Sequence, residues 1–376
     1  MYKQRVYLDH NATSPLKPEV KDSMISVMDA PGNPSAIHKY GRDARGRVEM
    51  ARLHVGQMLN IDPMGVIFTS GATEANNLAL NLPLAERFLV SAVEHPAVLK
   101  AREDIEIIPV TTDGIIDLKA LETLLQESKK PTLVSVMMVN NETGIIQPIQ
   151  EITQLVHKYN GFVHTDAVQA IGRIPVDMCA LKVDLMSLSG HKIGGPQGMG
   201  ALVFTNCVEP HPILKGGGQE KQRRAGTENL TGIVGLGKAC ECAVQSLEDY
   251  QKLKIWRDYI ESEVKDIHPE TIFFGQNVER VTNTSLFSIP GLSSETLVIS
   301  LDIEGVAVSN GSACSSGKIT PSHVLKAMGA SDEEALGAVR VSLGWNTTED
   351  DVTAFIKTFK KIFNRVKSRI STENAA

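Results

Sequence analysis

Residues 184–204 read DLMSLSGHKIGGPQGMGALVF: an apolar run, a glycine-rich loop, then a second apolar run. Runs this short and this apolar suit strands buried on both faces of a sheet. The loop between them carries Ser189, His191 and Lys192 ahead of Gly194, Gly195, Gly198 and Gly200. A lysine delivered there by a strand can lie in a cleft, where desolvation favours its neutral, nucleophilic form and allows a Schiff base with an aldehyde. A surface lysine in a turn is the other reading of SGHK.

Outward from this stretch, VIFTS, RFLVSAV, LVSVMMV and FVHTDA alternate with helical patterns such as IQEITQLVHKY. That alternation predicts a mainly parallel sheet covered by helices. Polar clusters follow the apolar runs, and ligands of open α/β sheets bind beyond the carboxyl ends of the strands. FVHTDAVQA places Asp166 and Gln169 at one such end. Asp166 reads either as the partner of a protonated ring nitrogen or as a helix N-cap. FTSGATEANNLAL reads as strand, tight turn and helix start, so the amides of Ala72 and Thr73 and the Thr73 hydroxyl make an anion site, with a Thr73 and Glu74 capping box as the alternative. His95 of VEHPAVL is an imidazole able to stack on a ring and move protons, and Asn141 of VNNETG is a donor before a turn glycine.

The second part of the chain has a different texture. Residues 229–267 are largely helical and read as a long helix leaving the large domain. NTSLFSIPG, ETLVISLDIEG and VAVSNGSACSSG then read as strand, helix, and a strand running into a loop of small residues that holds Cys314.

With 376 residues, 42% hydrophobic and 22% charged, the chain is long enough for two domains. A net charge of -6, from 38 basic and 44 acidic residues, speaks against nucleic acid as a direct ligand. MYKQRVYLDH resembles neither a signal peptide nor a transit segment and no apolar run reaches membrane-spanning length, so a cytoplasmic protein without membrane contact is expected. The five cysteines lack CxxC spacing, which suggests neither a disulfide framework nor a zinc site.

Taken in order, GATEANN, EHP, NNETG, TDAVQ and SGHK resemble the class V branch of the fold-type I pyridoxal-phosphate enzymes, and more closely the NifS/IscS-type cysteine desulfurases. The likeness runs from YLDHNATSP through GNPSAIHKYGR, RRAGTEN and SNGSACSSG to VRVSLG. It implies an α/β fold: a large domain, residues 15–255, with a mainly parallel seven-stranded sheet, and a smaller α+β domain from residues 1–14 and 256–376 that carries the cysteine loop.

The resemblance also assigns roles. Pyridoxal 5′-phosphate would be joined to Lys192, with Asp166 at its pyridine nitrogen, His95 stacked on the ring, and Gln169 and Asn141 around the ring oxygen. Ala72 through its backbone, Thr73, Ser189 and His191 would hold the phosphate, completed by Thr227 from the other subunit of a homodimer. Arg340, with Asn141, would bind the α-carboxylate of L-cysteine. Cys314 would receive the sulfur as a persulfide, yielding L-alanine, and pass it to an iron–sulfur scaffold of the NifU/IscU type. No metal is expected in the protein alone, with Cys314 as a transient iron–sulfur ligand. A class V aminotransferase, a selenocysteine lyase and a catalytically idle scaffold are the rival readings. Trp345 stands where many relatives have arginine, which bears on the sulfur acceptor.

Overall fold

A computed structural model describes residues 5–311 and 320–373, with side chains to residue 365. In chain order its strands are Val6–Tyr7 (β1), Val66–Thr69 (β2), Arg87–Ser91 (β3), Ile105–Ile108 (β4), Thr132–Ser135 (β5), Phe162–Asp166 (β6) and Leu185–Ser189 (β7). Gly200–Phe204 (β8), Ile272–Phe273 (β9), Thr284–Ser288 (β10), Val306–Ala307 (β11), Ser309–Asn310 (β12) and Ala338–Ser342 (β13) follow.

Seven of them form the central sheet, ordered β2-β8-β7-β6-β5-β3-β4. All its pairs are parallel except those of β8, which runs antiparallel to both β2 and β7. The connection 190–199 is too short for a crossover helix, so the chain must reverse there. β2, β3, β5, β7 and β8 are buried throughout, which is why they read as unbroken apolar runs. β4 was not legible: Ile105-Glu106-Ile107-Ile108 is a partly exposed edge strand, and Glu106 is held by Arg87 through two contacts of 2.6 Å.

The expected single long helix is two helices, Leu230–Gln245 and Leu247–Ile267. They part at Ser246, whose hydroxyl donates to the Cys242 carbonyl at 2.8 Å, a side-chain bond that competes with the helical ladder. The second sheet is antiparallel, ordered β12-β13-β10-β9. Beside it β1 pairs in parallel with β11, which ties residues 6–7 to residues 306–307 of the second part of the chain. Val6, Leu8, Leu253, Phe287, Val339 and Phe355 share one apolar cluster there, separate from the cluster under the central sheet.

Candidate active site

The carboxyl ends of β2 and β7 are brought side by side by β8, because Gly200 is paired with both Thr69 and Ser189. The approach is close: a Cβ on Gly200 would lie 2.6 Å from the Leu188 carbonyl oxygen and 2.7 Å from the Gly71 carbonyl carbon. Only glycine fits, and its absent side chain sets the turn before helix Ala72–Ala79 against the turn that carries Lys192.

A cavity of about 510 Å³ opens at this junction, and Ala72, Thr73, His95, Asn141, Asp166, Gln169, Ser189, His191, Lys192 and Arg340 all line it. The sequence had drawn these from separate motifs, and the fold collects them. Thr227 is exposed and lies outside the cavity of its own chain. Cys314 lies outside the described residues, although Ser309, Asn310 and Gly311 before it belong to the cavity wall.

The local chemistry of each group follows from its partners. Gly71 is the N-cap of helix Ala72–Ala79, so Ala72 and Thr73 sit in its first turn with their amides toward the helix start, where an anion is favoured. The capping box expected of Thr73 and Glu74 is not formed: Glu74 accepts from the Ser70 amide at 2.8 Å and pairs with Arg224 at 3.0 Å. Asp166 combines features of both its readings. Its Oδ1 accepts from the Val168 amide at 3.0 Å, as a capping aspartate does, while Oδ2 accepts from Asn76 Nδ2 at 2.7 Å.

Lys192 ends the short turn Gly190–Lys192, and its Nζ donates to the carbonyls of Asn11 at 2.6 Å and Ala12 at 2.7 Å. Burial, reinforced by the cations of Arg340 and Arg173, pulls its pKa down to about 7 against the opposing pull of Asp9 and Asp166. Burial likewise pushes His191 down to about 4, and its Nδ1 lies 3.2 Å from the Thr13 hydroxyl. His95 caps the turn Pro96–Leu99, accepting the Ala97 amide on Nδ1 at 3.1 Å. Its neutral ring therefore carries the proton on Nε2, and burial lowers its pKa despite the nearby Asp166.

Arg340 donates from Nη1 to the Asn141 carbonyl at 2.9 Å and from Nη2 to Asp9 at 2.7 Å, while Nε has no hydrogen-bond partner among the described residues. Gln169 donates to the Asn11 carbonyl at 3.0 Å and accepts from Arg173. Trp345 lines a different cavity and donates to the Pro15 carbonyl at 3.0 Å.

Three contributors were missed at the sequence level. Asn11 is fully buried and joins Lys192, Gln169, Asn141 and Thr284. Arg173 is buried behind Gln169. Asn76, four residues after Ala72 on one helix, faces the same way, and that spacing was a usable signal.

Comparison with known proteins decides the family. The profile of the aminotransferase class-V family matches residues 6–355. The chain belongs to the class V aminotransferase family. Among its class V relatives, the cysteine desulfurase IscS of Dictyoglomus turgidum is 39% identical over 381 residues, covering 97% of this chain and 96% of the relative. A cysteine desulfurase of Sinorhizobium fredii is 38% identical, covering 96% and 97%. The structure of a NifS-like protein from Rickettsia africae superposes with a TM-score of 0.90 at 38% identity, covering 96% of this chain and all of that one.

Class V enzymes of this group use pyridoxal phosphate. The residues present fit it. A helix start with Ser189 and His191 in the same cavity suits the phosphate, the buried Asp166 suits a protonated ring nitrogen, and a lysine of depressed pKa suits the aldehyde. Among the described residues no helix is long and apolar enough to cross a membrane, and no group of three or more His, Cys, Asp or Glu is placed to hold a metal.

Proposed function

We propose that the chain is a cysteine desulfurase that converts L-cysteine to L-alanine and retains the sulfur on Cys314 as a persulfide, for iron–sulfur cluster assembly. The observation that carries this reading is the opening of the Lys192 amine, the Asp166 carboxylate and the Arg340 guanidinium onto one cavity.

Bound there, pyridoxal phosphate supplies an electron sink conjugated to the substrate α-carbon. Asp166 holds the charge on the ring nitrogen, and Asn76 and the Val168 amide keep that carboxylate aimed. The phosphate would rest on Ala72, Thr73, Ser189 and His191, with Thr227 supplied by the second subunit of a homodimer. Arg340 binds the substrate carboxylate, with Nε as the donor left for it and Asn141 beside it. Lys192, whose burial favours the neutral amine, takes and returns the proton at the α-carbon. His95 serves protons through Nε2, since Nδ1 is occupied. The Cys314 thiolate attacks the substrate sulfur: the carbon–sulfur bond breaks, the sulfur–sulfur bond forms, and the β-carbon receives a proton.

The outer sulfur would go to an acceptor thiol on a scaffold of the NifU/IscU type, with neither nucleic acid nor membrane involved and a cytoplasmic setting. The chain would divide into a large unit, residues 15–255, and a small one, residues 1–14 and 256–376. The cluster of Val6, Leu8, Phe287, Val339 and Phe355 supports this division, and a further cluster joins Val93 and Ile145 of the large unit to Leu286 and Val324 of the small one.

The test is direct. Purified protein given L-cysteine and a reductant should yield alanine and sulfide in equal amounts without a keto acid. Cys314→Ala should keep the colour of the bound cofactor and lose sulfide release. Alanine formation that requires a keto acid would make the chain an aminotransferase, and turnover confined to selenocysteine would make it a lyase for that substrate.

A further inference from the structure

Glu220, Lys221 and Gln222 have φ of 44°, 58° and 69°, left-handed residues in a row, none of them glycine. Elsewhere among the described residues such positions occur singly, at Asn60, Asn160 and Lys182. A run of this kind persists only where surrounding contacts hold it. The holding contact is the buried Glu220 carboxylate, which accepts from Arg52 Nη1 at 2.9 Å, from Nη2 at 3.0 Å and from the Phe68 amide at 3.0 Å. Strand β2 is an edge of the central sheet, so its Phe68 amide and Val66 carbonyl meet Glu220 and Arg52 in place of a further strand.

A second clasp follows four residues later. Arg224 donates from Nε to Glu74 Oε1 at 3.0 Å, and Glu74 also accepts the Ser70 amide in the turn that leads into helix Ala72–Ala79. Between the clasps Arg223 donates to the Met64 carbonyl at 3.0 Å, just before β2. The segment is thereby fastened along β2 and onto the anion-binding turn beyond it. Past Arg224 the Gly226 amide turns back to the Gln219 side chain at 3.1 Å, Thr227 is exposed, and Asn229 caps the next helix by accepting the Gly232 amide. Covering the strand edge needs only Glu220 and Arg52. The second clasp, a partly buried pair, adds little stability by itself, but it sets where the chain points three residues on.

We infer that Glu220 and Arg224 are positioning residues for the neighbouring subunit: by clasping this segment to β2 they aim Thr227 at the phosphate of the coenzyme bound in the other chain. The inference rests on the proposed sharing of Thr227 between subunits. One strand then serves two sites, since β2 leads into the cradle of its own chain and carries the mount for its neighbour's.

The test uses mixed dimers of full-length, differently tagged chains, stripped of coenzyme and titrated with pyridoxal phosphate, with borohydride fixing the bound coenzyme to Lys192 for mass spectrometry. Lys192→Ala in one chain leaves a single lysine to report. With Arg224→Met on the chain that keeps Lys192, labelling should follow the same titration as without it. With Arg224→Met on the chain carrying Lys192→Ala, half-labelling of the intact chain's lysine should need roughly tenfold more coenzyme, the scale of one weakened hydrogen bond to a charged group. Arg224→Lys in that place should recover most of the loss, because a cation still faces Glu74. The paired change Arg52→Met with Glu220→Leu, which leaves no buried charge unmatched, should repeat the pattern of Arg224→Met. Weakened labelling in the first arrangement, or equal labelling in the two, overturns the inference. Thr227→Ala in the same two arrangements separates the failures. If it acts across the dimer and Arg224→Met does not, the clasps position nothing and the shared cradle stands. If it acts within its own chain, or not at all, the shared cradle falls and the inference with it.

Discussion

Taking cofactor-free protein from about pH 9 to about pH 6 should convert the Lys192 amine from a nucleophile to an ammonium ion with a midpoint near 7. An ordinary lysine at pH 7 is neutral in only about one molecule in 3,000, so a midpoint at 7 raises the neutral fraction roughly a thousandfold. The shift comes first from burial, then from Arg340 and Arg173, with Asp9 and Asp166 pulling the other way. Competitive labelling with trace acetic anhydride, read by peptide mass spectrometry, measures it directly. Lys252 is the internal control, since it is exposed and its pairing with Asp249 holds its pKa above the usual value. Arg340→Met should move the Lys192 midpoint upward, because a cation that disfavours protonation is gone. Should acetylation of Lys192 climb only in step with Lys252, with no transition near neutrality, then neither burial nor the two guanidinium groups set the basicity of this amine.

Glu220→Ala should destabilise the fold by about 3–5 kcal/mol in chemical denaturation, because it strands the buried Arg52, which it grips at 2.9 and 3.0 Å, and also frees the Phe68 amide. Replacing both partners with apolar residues should recover most of that loss. Asp166→Asn should fold normally yet lower kcat/KM on the order of a hundredfold or more, and an undiminished rate would remove the carboxylate from the chemistry. Acidification should cost stability through His164, whose burial pushes its pKa to about 3 while the unfolded chain titrates at 6.5. The native state stays neutral as the unfolded one takes up protons, so stability falls as pH drops below 6.5, by on the order of 3 kcal/mol at about pH 4. Urea melts at the two pH values, compared with His164→Gln, check the assignment. Co-expressing Lys192→Ala with Thr227→Ala should restore activity in mixed dimers if each site borrows Thr227 from its neighbour, while no restoration would make every site self-contained.

The apolar runs made the inner strands legible, because burial on both faces removes any need for polar residues within them. The edge strand β4 escaped since Glu106 belongs to an ion pair visible only in three dimensions. The break at Ser246 depends on a single hydroxyl turning back onto the helix, a choice that local composition does not record. At the site, groups at strand ends could be singled out by position. The junction residue Asn11 acts through partners far away in the chain, and no local pattern marks it, whereas Arg173 meets Gln169 only four residues away but owes its burial to the fold.

The shared pairing of Gly200 with the ends of two strands has a mechanical meaning. On the proposed reading, the anchor for the coenzyme's phosphate and the amine that meets its aldehyde would be mounted on one rigid ladder, so thermal motion would carry them together. Arg340 belongs to the other sheet. If Arg340 grips the amino acid as proposed, loosening the seam between the sheets by heat or denaturant should slacken that hold first, and Michaelis constants should deteriorate well before the protein bleaches.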